Sequence, residues 1–391
     1  MTPVAQVLPL AGVRVIEFCT VAAGPFCGLL LADMGADVLK IEPPSGDALR
    51  SWPPINDGYS ENFASINRNK RSAVLDLKLP QHAEIARVLC ADADVVIENN
   101  RPGVMDRLGL GYERLSRENG KLVYCSISAF GQSGPRAAEG GFDLTIQAAA
   151  GVMSVTGESE APVKCGVPLS DFSSGLYGAF AVASALMRAR STGAGAYVDI
   201  SMFGCTLAIS ALQTSEYFGT GQSPGKLGSA HPRNAPYQAF RAADGYFAIA
   251  AGNDGLWRSV VRAVGEESLI DDPRFLTPTL RARNQAALKD ILEKRFVERD
   301  VAHWIETFRA AGVPHSRINS YAEALADPQV EAMGWVQEIE LPSGAKTRTF
   351  GSPIRLDGEN LPISLRPPAL GEHSEDAMRR AARAADAILQ T

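Results

Sequence analysis

Two short apolar runs rich in β-branched residues flank a helix-length segment within the first fifty residues. No other feature of the chain limits its fold as much. Val13–Phe18 (VRVIEF) predicts a buried strand. Cys19–Gly24 reads as a turn. Pro25 then opens a helix that stops at Gly35, proline and glycine standing where helices begin and end. Asp37–Glu42 (DVLKIE) is the next strand, which makes the unit the opening βαβ of a doubly wound sheet. The rhythm continues through a short strand at Ala73–Leu77, a helix at Pro80–Ala91, and strands at Val95–Glu98 and Leu122–Ile127. The first turn reads TVAAGP and lacks the G-x-G-x-x-G of dinucleotide sites, which weighs against NAD or FAD.

Beyond residue 130 a helix is expected from Asp171 to about Arg190, then a strand at Ala196–Ile200 and a helix at Met202–Phe218. Gly219–Asn234 is loop-rich and predicts a boundary. Tyr237–Ala251 is a hairpin turning at Asp244-Gly245, followed by helices near Asp254–Val264, Leu280–Val297 and Val301–Ala311. Trp335–Leu356 holds a second hairpin turning at Ser343-Gly344, and the chain ends in an amphipathic helix capped near Ser374. The expected division is a large α/β domain over 1–220, a small α+β domain over 221–330, and a segment over 331–391 that rejoins the first.

The 391 residues allow two or three domains with real cores. A net charge of −6 argues against a general nucleic-acid surface. Six cysteines without a C-x-x-C pair predict reduced thiols with no zinc site. No run approaches the roughly 18 apolar residues of a membrane span. The N-terminal MTPVAQVLPLAG lacks the basic and apolar regions of a signal peptide, so a cytoplasmic protein is expected.

Chemistry concentrates in VKCGVPLSDFSSGLYGAFAVASA, residues 163–185. Ser170-Asp171 followed by Ser173-Ser174 before a periodic apolar run marks a helix N-terminus. Asp171 is then either a helix cap or a carboxylate nucleophile, at a site where converging N–H groups stabilise an oxyanion. The basic run at Asn67–Lys78, with Arg68, Lys70, Arg71 and Lys78, is either a phosphate cradle or a solvated charged edge. Asn99–Arg107 is a polar loop at the C-terminal end of the Val95–Glu98 strand, where open α/β sheets bind ligands.

Several motifs fail. Gly221-Gln222-Ser223-Pro224-Gly225 has the spacing of a nucleophile elbow, but Pro224 lacks the N–H that the elbow needs after its serine. Leu227 stands where a P-loop would carry Ser or Thr after Gly225-Lys226. No histidine lies between His82 and His231, so a mechanism with a histidine close in sequence to Asp171 is excluded.

In their order and spacing, GVRVIEF…AAGPFC, LADMGADVLKIEPPSGD, NRNKRS…LDLK, ENNRPGVMDRLGLGY, FGQSGP, GFD…GVMSVTG, the Asp171 segment, PYQAF…DGYFAIAAGND and PALGEHS resemble the class III CoA-transferases. The resemblance spans nearly the whole chain. It implies a Rossmann-like large domain, a smaller α+β domain and two chains interlinked into a homodimer. It makes Asp171 the nucleophile, working through an aspartyl–acyl anhydride and an aspartyl-CoA thioester. It places CoA near Leu75, Lys78, Asn99, Asn100 and Arg107, with Arg71 nearby. Thr20 and Ala22 stand where formyl-CoA transferase has a histidine and a glutamine at the acyl site, and that enzyme's tetraglycine loop is absent, which disfavours oxalate and formyl groups.

The related racemases use a histidine in a G-H-D motif. Here the match is Gly141-Phe142-Asp143, and phenylalanine transfers no proton. The stretches 141–157 and 229–245 resemble the branch that uses succinyl-CoA and small dicarboxylic acids. A second carboxylate on the acyl group needs a cation, for which Arg136 and Arg233 are candidates, each equally open to a structural role. The substrates implied are CoA thioesters and free carboxylic acids, with no tightly bound cofactor, no metal, no nucleic acid and no membrane.

Overall fold

The computed structural model of the chain describes residues 7–158 and 160–389. Six parallel strands form its main sheet: β1 (Arg14–Phe18), β2 (Asp37–Glu42), β3 (Lys70–Val74), β4 (Val95–Glu98), β5 (Val123–Ser128) and β6 (Ala196–Ser201). Their order is β3-β2-β1-β4-β5-β6. This is the doubly wound order expected from the sequence, with the winding reversing between β1 and β4.

Both faces of the sheet are covered, because side chains alternate along each strand. Val15, Ile97 and Cys125 point to one face, against Cys27 and Leu31 of helix α1 (Ala23–Asp33) and Val182 and Leu186 of helix α3 (Leu169–Thr192). Ile16, Val96 and Tyr124 point to the other, against Leu89 of the Pro80–Ala91 helix and Ala377 and Ala381 of the C-terminal helix Ser374–Leu389. That last helix returns to the sheet edge, where the Val74 amide donates to Ser374 Oγ at 2.9 Å and the His373 amide to the Ser72 carbonyl at 2.8 Å.

Two compact units result. One comprises Met1–Val152, Lys164–Ser223 and Gln329–Thr391; the other comprises Met153–Val163 and Pro224–Pro328. The segment Met153–Val163, which the sequence pattern leaves within the large domain, thus groups with the second unit. There the hairpin Tyr237–Arg241 and Tyr246–Ala250, joined by His315–Arg317, forms a three-stranded sheet. Its core is built on Phe240, Phe247, Phe296 and Phe308. Among the described residues no helix is long and apolar enough to cross a membrane.

Three expected elements differ. The third strand begins three residues earlier than its apolar run, because Lys70 and Arg71 pair in register with Val38 and Leu39 despite their charge. The helix expected at Met202–Phe218 is broken at Ser210, giving Met202–Ile209 and Ala211–Thr220. The one at Leu280–Val297 divides at Asn284 into Pro278–Arg283 and Gln285–Phe296.

Helices α1 and α3 pack closely because α3 presents small residues at helical spacing: Ser170, Ser174 and Gly178, with Gly175 beside them. A Cβ at Gly175 would lie 2.9 Å from the Ala23 carbonyl oxygen and 3.2 Å from the Cys27 amide nitrogen. Backbone cannot yield as a flexible side chain can. Gly175→Val is therefore expected to lower stability by about 1–3 kcal/mol, measured by urea denaturation; an unchanged midpoint would refute this close-packing account.

Candidate active site

The loops that follow β1 and β4, where the winding reverses, line a cavity of about 380 Å³. Its wall includes Thr20, Ala22, Asn99, Asn100, Arg101, Gly140, Phe142 and Asp171. The volume suits a small acyl group and its neighbouring bonds. The sequence-predicted positions Thr20, Ala22, Asn99, Asn100 and Asp171 meet here.

Asp171 is the third residue of α3. The helix begins at Leu169 after Pro168, which makes no side-chain cap. Asp171 is therefore in the first turn and is not the cap, and no hydrogen bond or ion pair among the described residues holds its carboxylate. Burial, with the nearby Asp143 carboxylate adding to it, pushes the Asp171 carboxyl up to about 6. A helix N-terminus favours an anion by about 0.3–1 kcal/mol, less than one pKa unit, so desolvation wins. The result is a poorly solvated carboxylate that ionises just below neutrality.

Asp143 fixes the turn that carries Asp171. It starts helix α2 (Asp143–Ala149), accepts the Ser170 amide at 2.9 Å and accepts Gln147 Nε2 at 2.8 Å. Gln147 in turn accepts the Cys165 amide at 2.9 Å, holding the strap that enters α3. Thr206 Oγ1 donates to Ser170 Oγ at 2.9 Å from the other side.

The turn after β1 is pinned residue by residue. Lys40 Nζ donates to the Cys19 carbonyl. Asn99 Oδ1 accepts the Thr20 amide while Asn99 Nδ2 donates to the Thr20 carbonyl, each at 2.9 Å. The Val21 amide donates to Asp47 at 3.1 Å. Val21 needs that grip: its φ is +65°, in the left-handed region that a β-branched residue rarely enters. Behind the turn lies an ion network with side chains wholly out of water, Lys40–Glu17 at 3.1 Å, Lys40–Asp47 at 3.0 Å and Lys70–Glu17 at 2.9 Å. Burial pulls the Lys40 ammonium down, but Glu17 and Asp47 outweigh it and hold Lys40 above its ordinary value. Burial pulls Lys70 below its own. Glu98, at the end of β4, accepts the Asn100 amide at 2.7 Å, and burial pushes its carboxyl up to about 7.

Other expected site residues have different surroundings. The basic run is not an open phosphate cradle. Arg68 is paired with Asp33 at 2.6 Å, Lys70 with Glu17, and Arg71 with Asp37 at 2.5 Å and Asp376 at 2.8 Å. Nor is it a solvated edge, since Arg68 and Lys70 are buried. Leu75 is 1 % exposed, so its side chain belongs to the core. The Asn99 amide is engaged at both ends by Thr20, which makes it a positioning group. Arg136 is held by Glu139 at 2.7 Å and stacks 3.7 Å from the Phe130 ring. Lys78 and Arg107 are exposed and lie outside the cavity wall. Arg233 belongs to the second unit. Sequence reasoning missed Asp47, Lys40 and Asp143 as supports and Arg101 as a cavity residue; for Asp143, its place in the G-x-D triplet was the available signal.

Because its folded-state pKa lies above the ordinary 3.8, Asp171 binds a proton more tightly folded than unfolded. Stability from this group is present below about pH 4 and lost as pH rises through about 6. Asp171→Asn is therefore expected to be more stable than wild type at pH 7, with the gain gone at pH 4, as read by thermal denaturation at both pH values. Equal gains at the two would contradict the raised pKa.

Residues 10–374 match the family model described as CoA-transferase family III. The succinate–glutarate CoA-transferase of Agrobacterium fabrum is 38% identical over 379 residues, covering 95% of this chain and 95% of its own. The human succinyl-CoA:glutarate CoA-transferase is 34% identical over 381 residues, covering 97% of this chain and 87% of its own. Among solved structures, a CaiB/BaiF family protein from Brucella suis superposes with a TM-score of 0.85 at 39% identity, covering 96% of this chain and all of that one. With the parallel sheet, the cavity at its winding reversal and a match along almost the entire length, this chain belongs to CoA-transferase family III and is an enzyme that transfers CoA.

Proposed function

We propose that the enzyme moves CoA from a dicarboxylyl-CoA such as succinyl-CoA to a second small dicarboxylic acid, with Asp171 as the covalent nucleophile. The observation that carries this reading is the Asp171 carboxylate itself: in the cavity wall, unpaired, and pushed up to about 6 by burial. At neutral pH it is ionised yet poorly solvated, the state in which a carboxylate attacks best.

Asp171 adds to the thioester carbonyl of the donor and expels CoA thiolate, leaving an aspartyl–acyl anhydride. The thiolate attacks the aspartyl carbonyl, releasing the donor acid as its carboxylate and leaving an aspartyl-CoA thioester. The acceptor carboxylate attacks that thioester, giving a new anhydride and thiolate again. Attack of the thiolate on the acceptor's acyl carbonyl yields the new acyl-CoA and restores Asp171. The pinned turn at Cys19–Ala22 and the first turn of α3 hold the reacting groups in register across these four steps. Racemisation within the same fold has less support, because Phe142 lines the cavity at the position where a second proton-transfer group would have to stand. The similarity to succinyl-CoA:glutarate enzymes favours five- and four-carbon diacids.

A second copy of the chain fits the apolar side chains left in solvent: Phe180 and Met187 on α3, Leu212 and Phe218 on the Ala211–Thr220 helix. Light scattering is expected to return twice the chain mass; a monomer at micromolar concentration would remove the homodimer from the proposal.

The function itself is tested by mass spectrometry of CoA exchange between succinyl-CoA and a panel of free acids. New acyl-CoA species should form with release of succinate. Asp171→Ala should lower the rate about 10³-fold or more, and kcat/KM should fall tenfold per pH unit below about 6. Loss of an α-proton to solvent without CoA exchange would replace the transferase by an isomerase.

A further inference from the structure

Two carboxylates without a cation partner among the described residues lie close together at the cavity: Asp171 lines it, and Asp143 is near enough to raise the Asp171 pKa. A diacid brings one carboxylate to react and a second that repels these groups, so a cation must receive the second. Arg136 is poorly placed to do so, since Glu139 already holds its guanidinium.

Arg101 is in a different position. It follows β4 where the winding reverses and lines the same cavity as Asp171. It takes part in no ion pair or side-chain hydrogen bond among the described residues. Its place is shaped by Gly140, another wall residue: a Cβ there would lie 3.0 Å from one terminal nitrogen of Arg101 and 3.3 Å from its guanidinium carbon. The missing side chain lets the flat guanidinium lie along the wall. A guanidinium offers two parallel N–H donors that match a carboxylate.

We infer that Arg101 binds the distal carboxylate of the acyl group and sets the preference for dicarboxylic over monocarboxylic substrates. This rests on the CoA-transfer reading above, and it goes beyond it by naming the residue that selects the acid. The competing use of a guanidinium in this enzyme is a contact to a CoA phosphate, which would act on every acyl-CoA alike.

The test compares succinyl-CoA with butanoyl-CoA, in which a methyl replaces the distal carboxylate. Calorimetric affinities are measured for wild type, Arg101→Gln, Arg101→Lys and Gly140→Ala, alongside transfer from each thioester to glutarate and to butanoate. The ratio of succinyl-CoA to butanoyl-CoA affinity should fall about 10- to 100-fold in Arg101→Gln. Arg101→Lys should recover part of it, and Gly140→Ala should lower it by displacing the guanidinium. Equal weakening of both thioesters and of free CoA would assign Arg101 to a phosphate and overturn the inference, as would an unchanged ratio. If wild type moves no CoA between acids, the proposed function fails, while the binding ratio still decides the role of Arg101. Arg101 is exposed, so its variants should keep the wild-type denaturation midpoint, which separates a binding effect from misfolding.

Discussion

Lys40, Lys70, Glu17 and Asp47, closed off from water between β1, β2 and β3, form the interaction on which the rest of the site depends. Such a network is weak as a source of stability, because desolvation offsets most of its Coulomb gain. Removing one member is another matter: a charge left buried and unpaired costs about 3–5 kcal/mol. Its value lies in direction. Lys40 and Asp47 each use remaining bonding capacity on the turn after β1, one on the Cys19 carbonyl and one on the Val21 amide. Gly28 leaves room for it, since a Cβ there would fall 1.9 Å from Glu17 Oε2.

The strained backbone at Val21 follows from that arrangement. A left-handed valine costs of order 1–3 kcal/mol and persists only where its surroundings over-determine it. Here bonds to Cys19, Thr20 and Val21 do so from three sides. The turn therefore gives the cavity a rigid wall facing Asp171. On the other wall Asp143 and Thr206 hold the first turn of α3 through Ser170. Two rigid walls around one weakly solvated carboxylate suit the covalent mechanism proposed for it, because a displacement of about 1 Å can cost 10²-fold in rate.

Much of this was legible in the sequence, and the limits follow from physics. The β–α rhythm gave the doubly wound sheet, since its strands are apolar and its helices are bounded by glycine and proline. Asp171 was legible as part of a helix start. The third strand was misplaced because Lys70 and Arg71 look like a solvent-facing run, and only their partners Glu17 and Asp37, some fifty and thirty-four residues away, reveal otherwise. The same long-range pairing hid that Arg68, Lys70 and Arg71 already have carboxylate partners. Asn99 stands among the CoA contacts that the resemblance implies, yet its bonds to Thr20 across 79 residues of chain could not be read from the loop that contains it. Arg136 and Arg101 are both arginines in polar loops. What separates them is a neighbour, Glu139 for one and the bare backbone of Gly140 for the other.

Asp143 shows how one triplet can carry different chemistry. In Gly141-Phe142-Asp143 the phenylalanine lines the cavity as an apolar side chain, while the aspartate turns inward to the Ser170 amide and Gln147. Its charge raises the pKa of Asp171 and its hydrogen bonds fix the helix turn that presents Asp171. Those two effects together favour the nucleophilic attack proposed for Asp171: the carboxylate is both less stabilised and better placed. A proton-transfer group at position 142 would instead hold or deliver a proton beside that carboxylate. The apolar ring there leaves Asp171 without a proton-transfer partner at position 142, as the proposed nucleophilic role requires.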